Sequence, residues 1–242
     1  MFASERSSSF RAVVGRNGST LACALFVLAV LSGAVLDRSL TLAVWLLSFW
    51  HYYLYWLAFA FGAPSFDVFK RDAVATKTVS VAALAAVYLT TPLDLVSLAV
   101  IAGGILLNLR AAAVLGIDRT YYGYEVAGLP PRKITAFPYS LTNHPMILGN
   151  VAAFGGTLIN SAFAQQWWPL VCLHISLNFG LLVMELVRRG RTVRIGGSLL
   201  FAAVLATTLL ITPVGALLAA AAVACAWTLY RCYAQETARR TS

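Results

Sequence analysis

The chain has 242 residues, of which 60% are hydrophobic and only 11% charged, and the charges sum to +9 at neutral pH. A soluble domain of this length cannot hide so much apolar surface, so the composition excludes an ordinary globular enzyme and points to a protein whose solvent is a lipid bilayer. The basic surplus, which would suggest nucleic acid in a soluble protein, suggests here loops that face an anionic leaflet.

A helix crosses a bilayer core with roughly 20 apolar residues. The segment 1–19 carries Arg6, Arg11 and Arg16 and precedes an apolar run from Thr20 to Leu36. Positive charge before an apolar run resembles a signal peptide, but no convincing cleavage site follows and the chain enters another span at once, so the run is read as a retained helix. Further spans are predicted near 40–61, 76–91, 93–114, 145–164, 168–187, 195–212 and 214–230. The total is about eight spans, or as few as six if short pairs such as the last, broken at Pro213, do not fully cross. The expected fold is all-α, a polytopic transmembrane helical bundle. It comprises a cytoplasmic segment 1–19, N-terminal helices over 20–114, a core over 115–194 with a cytoplasmic loop and a helical hairpin, and a C-terminal hairpin with its tail over 195–242.

Charge position supports that count independently. With both termini cytoplasmic, every one of the 18 basic residues except Arg38 falls on the inner side, while the outer connections carry Asp37, Asp94, Gln165-Gln166 and Pro213. This is the bias of the positive-inside rule. Aromatic residues crowd the second span (Trp45, Trp50, Tyr52, Tyr53, Tyr55, Trp56) and open the sixth (Trp167, Trp168), as interface anchors or lipid-facing packing do. His51 among them reads as a hydrogen-bonded interfacial residue. Gly103-Gly104 and Gly155-Gly156 allow close helix contact. Cys23, Cys172, Cys225 and Cys232 lie in or at the end of apolar runs without metal-ligand spacing and read as packing residues, so no metal is expected.

Polar chemistry concentrates between Gly116 and Gly149 and at the end of the sixth span. Glu185 follows Leu181-Leu182-Val183-Met184 at membrane depth, where a lone carboxylate is costly; it pairs with Arg188 or Arg189 one turn on, or it meets a cationic ligand. Asn143-His144-Pro145 reads as a helix start, with Asn as a cap and Pro at the first helical position, leaving backbone N–H groups that favour an anion. Gly149, one turn in, lets a ligand or a neighbouring helix approach, and Gly123 offers similar room. Because the fifth and sixth spans form a hairpin, its inner ends are neighbours, which puts His144 and Glu185 within reach of one pocket.

Leu115-Gly116-Ile117, Thr120-Tyr121 and Gly123, then Lys133-Ile134-Thr135-Ala136-Phe137-Pro138-Tyr139 and His144-Pro145-Met146 with Gly149, resemble the core of the phosphatidylethanolamine N-methyltransferases and phospholipid methyltransferases. Glu185 falls where the first member of that family's glutamate pair stands. His144 occupies a position that is usually Asn in these lipid enzymes and His in the related isoprenylcysteine carboxyl methyltransferases and steroid-reductase-like enzymes. Ile147, Leu186 and Arg119 also depart from the family pattern. The resemblance implies S-adenosylmethionine as cofactor, held by Tyr121, Gly123, Asn143, His144, Pro145, Gly149 and Glu185, with His144 and Glu185 as the catalytic candidates. It implies a membrane phospholipid as substrate, with Arg132, Lys133, Tyr139, Arg188 and Arg189 at the head group. The expected activity is N-methylation of phosphatidylethanolamine, or of its mono- and dimethylated forms, towards phosphatidylcholine. The site would face the cytoplasm from the endoplasmic reticulum membrane in a eukaryote or the inner membrane in a bacterium. The alternatives are a membrane methyltransferase for isoprenylcysteine or another small amphiphile, a steroid-reductase-like membrane reductase, and a non-enzymatic membrane protein built on the same helices.

Overall fold

The computed structural model describes residues 40–61 and 65–187, together with Leu28, Ser32 and Val35. The side chains of 183–187 and some of those in 40–61 lie outside that description. So do both termini, Cys23, Cys225, Cys232, Arg188, Arg189, nearly all of the 20–36 run and the spans expected at 195–212 and 214–230. The described residues contain helices and no strand: α1 (Leu40–Phe61), α2 (Phe66–Tyr88), α3 (Leu95–Leu115), α4 (Ile117–Thr120), α5 (Gly123–Ala127), α6 (Pro145–Thr157) and α7 (Ser161–Val187). Among them α3 is the one helix both long and apolar enough to cross a membrane. Leu95, Val96, Val100, Ile105, Leu106 and Leu109 are exposed on it, as lipid contact requires. At 22, 23 and 27 residues, α1, α2 and α7 match or exceed its 21 but carry more polar side chains.

The chain falls into two compact units, and the described residues up to Val81 lie in the first and those from Ala82 in the second. In the first, α1 keeps the bounds expected of the second span, whereas α2 begins ten residues before the apolar run that predicts it. Its polar first turns are amphipathic: Phe69, Asp72, Ala73, Thr76 and Ser80 are buried at helical spacing, while Asp67 and Arg71 face outward. Arg71 Nε donates to the buried Asp72 carboxylate at 3.2 Å, and Ser80 Oγ donates to the Ser48 carbonyl across the helix pair. His51, expected at an interface, is buried with its ring 3.9 Å from that of Tyr52 and 5.6 Å from that of Tyr55. Tyr52, Tyr55 and Trp167 are likewise buried, while Trp168 is exposed as an anchor would be.

In the second unit α3 starts on Asp94, whose carboxylate accepts the Ser97 N–H at 2.9 Å and so satisfies a first-turn donor. Ser97, Gly104 and Ala111 are its buried positions, seven residues apart, and they form one stripe because seven residues are close to two turns. The stripe meets α6 antiparallel. Ser97 Oγ donates to the Gly156 carbonyl at 2.7 Å at one end, and Asn108 Nδ2 donates to the Met146 carbonyl at 3.0 Å near the other. Between these, a Cβ on Gly104 would lie 2.5 Å from the Ala153 nitrogen, and one on Gly149 would lie 2.7 Å from the Gly104 oxygen. Backbone meets backbone there, a contact that only glycine permits. Gly103 and Gly155 have nothing within 4 Å, so only one glycine of each expected pair serves the contact.

The hairpin expected between 145–164 and 168–187 turns earlier than the sequence suggests: α6 ends at Thr157 and α7 starts at Ser161, with Gln165 and Gln166 inside α7. Asn160 causes the shift. Its Oδ1 accepts the Phe163 N–H at 3.3 Å as a cap, and its Nδ2 donates to Thr91 Oγ1 at 3.2 Å and the Pro92 carbonyl at 2.9 Å, tying the turn to the α2–α3 connection. Tyr88 completes this end of the unit, donating to Ser97 Oγ at 2.7 Å and packing its ring 5.3 Å from that of Phe163. Cys172, read as a packing residue, is exposed.

Candidate active site

The opposite end of the second unit holds the polar chemistry. Asn108 on α3 donates through Nδ2 to the Met146 carbonyl and, at 2.7 Å, to Asn150 Oδ1 on α6. Asn150 Nδ2 donates to Asn178 Oδ1 on α7 at 2.8 Å, and Asn178 Nδ2 donates to the His174 carbonyl at 2.9 Å. Each amide has one consistent orientation, because the chain finishes at both ends on a backbone carbonyl, which can only accept. His174 is fully buried and stacks on Phe154 with centroids 4.7 Å apart. Amides this deep are costly unless paired, so the chain ties three helices together as well as satisfying itself. No motif in the sequence marks Asn108, Asn150 or Asn178. The available signal was one lone asparagine inside each of three apolar runs, a polar group that must find a partner in a membrane.

The bond from Asn108 to Met146 also sets the level at which α6 begins. From Asn108 α3 continues seven residues to Leu115, which at about 1.5 Å per residue puts the first turn of α6 about 10 Å inside the end of α3. Residues 116–144 connect the two levels. Thr120 Oγ1 donates to the Gly116 carbonyl at 3.0 Å, and Arg119 Nη2 donates to the Pro130 carbonyl at 3.2 Å, which closes α4 against the later loop. Tyr122 takes a left-handed φ of 61° to turn the chain into α5, and Gly128 ends α5 at φ 68°.

The expected site residues fall into this frame unevenly. Pro145 is buried at the first position of α6, as its fixed φ and missing N–H favour, and this makes His144 rather than Asn143 the N-cap. His144 is half-buried, its N–H donates to Thr142 Oγ1 at 3.3 Å, and its side chain makes no capping bond; Asn143 is exposed. Among the described residues, the first turn of α6 thus keeps backbone donors without a side-chain acceptor. Gly149 serves the approach of α3. The space at Gly123 is taken by its own loop, since a Cβ there would lie 2.6 Å from both the Asp118 oxygen and Leu129 Cδ1. Tyr121 is half-buried, and burial pushes its phenol above the ordinary value. Arg132 and Lys133 are exposed, Tyr139 is half-buried, and Pro138 between exposed Phe137 and Tyr139 is buried. Glu185 lies in the last turn of α7, with its side chain outside the described set.

The loop, the start of α6 and the α6–α7 pair occupy one continuous stretch of sequence. Residues 93–187 match the phospholipid methyltransferase family. The match includes α3, with Gly104 and Asn108, and so reaches further toward the N-terminus than the motifs from Leu115 onward. No curated protein and no solved structure is significantly similar to the chain. The matched stretch covers less than half of the chain. The N–H groups at the start of α6 suit an anion such as a carboxylate.

Proposed function

We propose that the chain is an S-adenosylmethionine-dependent N-methyltransferase that acts on phosphatidylethanolamine or its mono- and dimethylated forms from the cytoplasmic leaflet, within a bundle of about eight spans. The observation that carries this is the start of α6: a helix N-terminus with Pro145 at its first position and, among the described residues, no side-chain cap, inside the stretch that matches phospholipid methyltransferases. Sidedness supports it. Arg110, Arg119, Arg132 and Lys133 belong to the end of the unit where α6 begins, while the connections 89–94 and 158–160 at the other end contain no Lys or Arg.

Helix register supports the use of Glu185 at the same place. Phe154 stacks on His174, and Asn150, one turn earlier in α6, bonds Asn178, one turn later in α7. Another step of the same size would bring Met146 level with Leu182, and a further half-turn would bring His144 level with Met184, next to Glu185. When bound, S-adenosylmethionine supplies an electrophilic methyl group. The start of α6 and His144 would hold its carboxylate, Glu185 its amine or hydroxyls, and Arg132, Lys133, Arg188 and Arg189 the lipid phosphate. Transfer to an amine needs a neutral nucleophile, close approach and exclusion of water, and it needs no covalent nucleophile from the protein.

Expression in a host that lacks phosphatidylcholine should yield mono-, di- or trimethylated phosphatidylethanolamine on lipid analysis. If head groups stay unmethylated while the protein is membrane-inserted and binds S-adenosylmethionine, the substrate is a different amphiphile.

A further inference from the structure

The asparagine chain leaves one strong acceptor over. Asn108 commits Nδ2 to the Met146 carbonyl and to Asn150 Oδ1, and because the Met146 oxygen can only accept, the Asn108 amide cannot be turned round. Its Oδ1 accepts no hydrogen bond from the described residues, although it lies beside the first turn of α6 about 10 Å inside the end of α3. Asn108 is half-buried, so this oxygen is held in place by the amide's other bonds yet not sealed off. An accessible acceptor held in a fixed direction is able to take a hydrogen bond from a ligand that carries N–H groups.

We propose that Asn108 Oδ1 accepts a hydrogen bond from an N–H of the lipid amine and thereby positions that amine at the start of α6, which makes Asn108 a determinant of how many methyl groups are added. The proposal rests on a phospholipid amine as substrate. In each transfer the neutral amine's lone pair forms the new N–C bond while the methyl–sulfur bond breaks and its electron pair returns to sulfur. A primary or secondary amine then releases one proton to water, and a tertiary amine has none to release. Neutral primary and secondary amines offer an N–H to Asn108 before transfer, and a tertiary amine offers none. Asn108 therefore favours the first two methylations and leaves the third unassisted.

The test uses the purified full chain in detergent–lipid micelles, with unmethylated, monomethylated and dimethylated phosphatidylethanolamine as separate substrates and S-adenosylmethionine binding measured directly. Asn108→Leu should lower kcat/KM about tenfold or more on the first two lipids and less than about threefold on the third, with cofactor affinity within about threefold of wild type. Asn108→Ser keeps a hydroxyl donor on a shorter side chain whose oxygen, though able to accept, ends short of the Oδ1 position; it should shift selectivity the same way, and it carries the test if the leucine variant does not fold. Asn150→Leu breaks the same chain without touching Asn108 Oδ1, so it should lower all three substrates alike. A uniform loss in the Asn108 variants that follows the Asn150→Leu pattern would overturn the proposal and leave Asn108 as helix glue. A wild-type protein that binds S-adenosylmethionine but methylates none of the three lipids would instead overturn the phospholipid assignment itself.

Discussion

Gly104→Leu should leave almost no folded protein, and even Gly104→Ala should lower the thermal unfolding midpoint in detergent clearly. The added Cβ lands 2.5 Å from the Ala153 nitrogen and 2.6 Å from the Gly149 oxygen, which are backbone atoms on a helix that cannot rotate away. Relief requires α3 and α6 to separate, which stretches the Ser97–Gly156 and Asn108–Met146 bonds at the two ends of the seam. Overpacking of this kind costs about 1–3 kcal/mol for a methyl group and more for a branched side chain. Gly149→Ala should behave like Gly104→Ala, since its Cβ would meet the Gly104 oxygen at 2.7 Å and the Asn108 nitrogen at 2.9 Å. Gly103→Ala is the control: nothing lies within 4 Å, so the gain in helix propensity, up to about 1 kcal/mol, should leave the midpoint unchanged or slightly raised. Equal tolerance at Gly103 and Gly104 would mean that α3 and α6 do not pack through this seam.

Glu185→Gln should lower S-adenosylmethionine affinity by about one to two orders of magnitude with little change in protein level, because hydrogen bonds to a charged group are worth roughly 1.5–3 kcal/mol and glutamine keeps the shape without the charge. His144→Ala should weaken the cofactor as well, since the register seen at Asn150–Asn178 and Phe154–His174, continued along both helices, would put His144 level with the turn that contains Glu185. Equilibrium binding of S-adenosylmethionine to the purified variants checks both. If Glu185→Gln binds normally but unfolds at lower temperature, and Arg188→Ala and Arg189→Ala do the same, the carboxylate is a structural partner of those arginines. The cofactor then has to be sought around Tyr121–Glu125.

What could be read in advance follows a physical division. The start of α6 was legible because proline at a first helical position is a local rule, and α1 was legible because its apolar run and its helix coincide. The early start of α2 was hidden because Asp67, Lys70, Arg71 and Asp72 end an apolar run without ending a helix; their spacing, with Phe69, Ala73 and Thr76, carries the helical period instead. The turn before α7 is not at Gln165-Gln166, because glutamines suit a helix interior, and the stop is made by Asn160 through partners more than sixty residues away, Thr91 and Pro92. The Asn108–Asn150–Asn178 chain could not be read at all as a unit. Each asparagine is unremarked in its own helix, and only the packing of α3, α6 and α7 brings them together. Gly149 was open to two uses, and the structure shows it serving helix approach.

Transfer of label from methyl-labelled S-adenosylmethionine by the purified protein, in vesicles containing phosphatidylethanolamine, tests the central claim most directly. The predicted result is label in the lipid head group, released on acid hydrolysis as a methylated ethanolamine and clearly reduced by Glu185→Gln at cofactor concentrations that just saturate wild type. Tight binding of the cofactor with no label in any lipid, whatever the methylation state of the head group supplied, would contradict it.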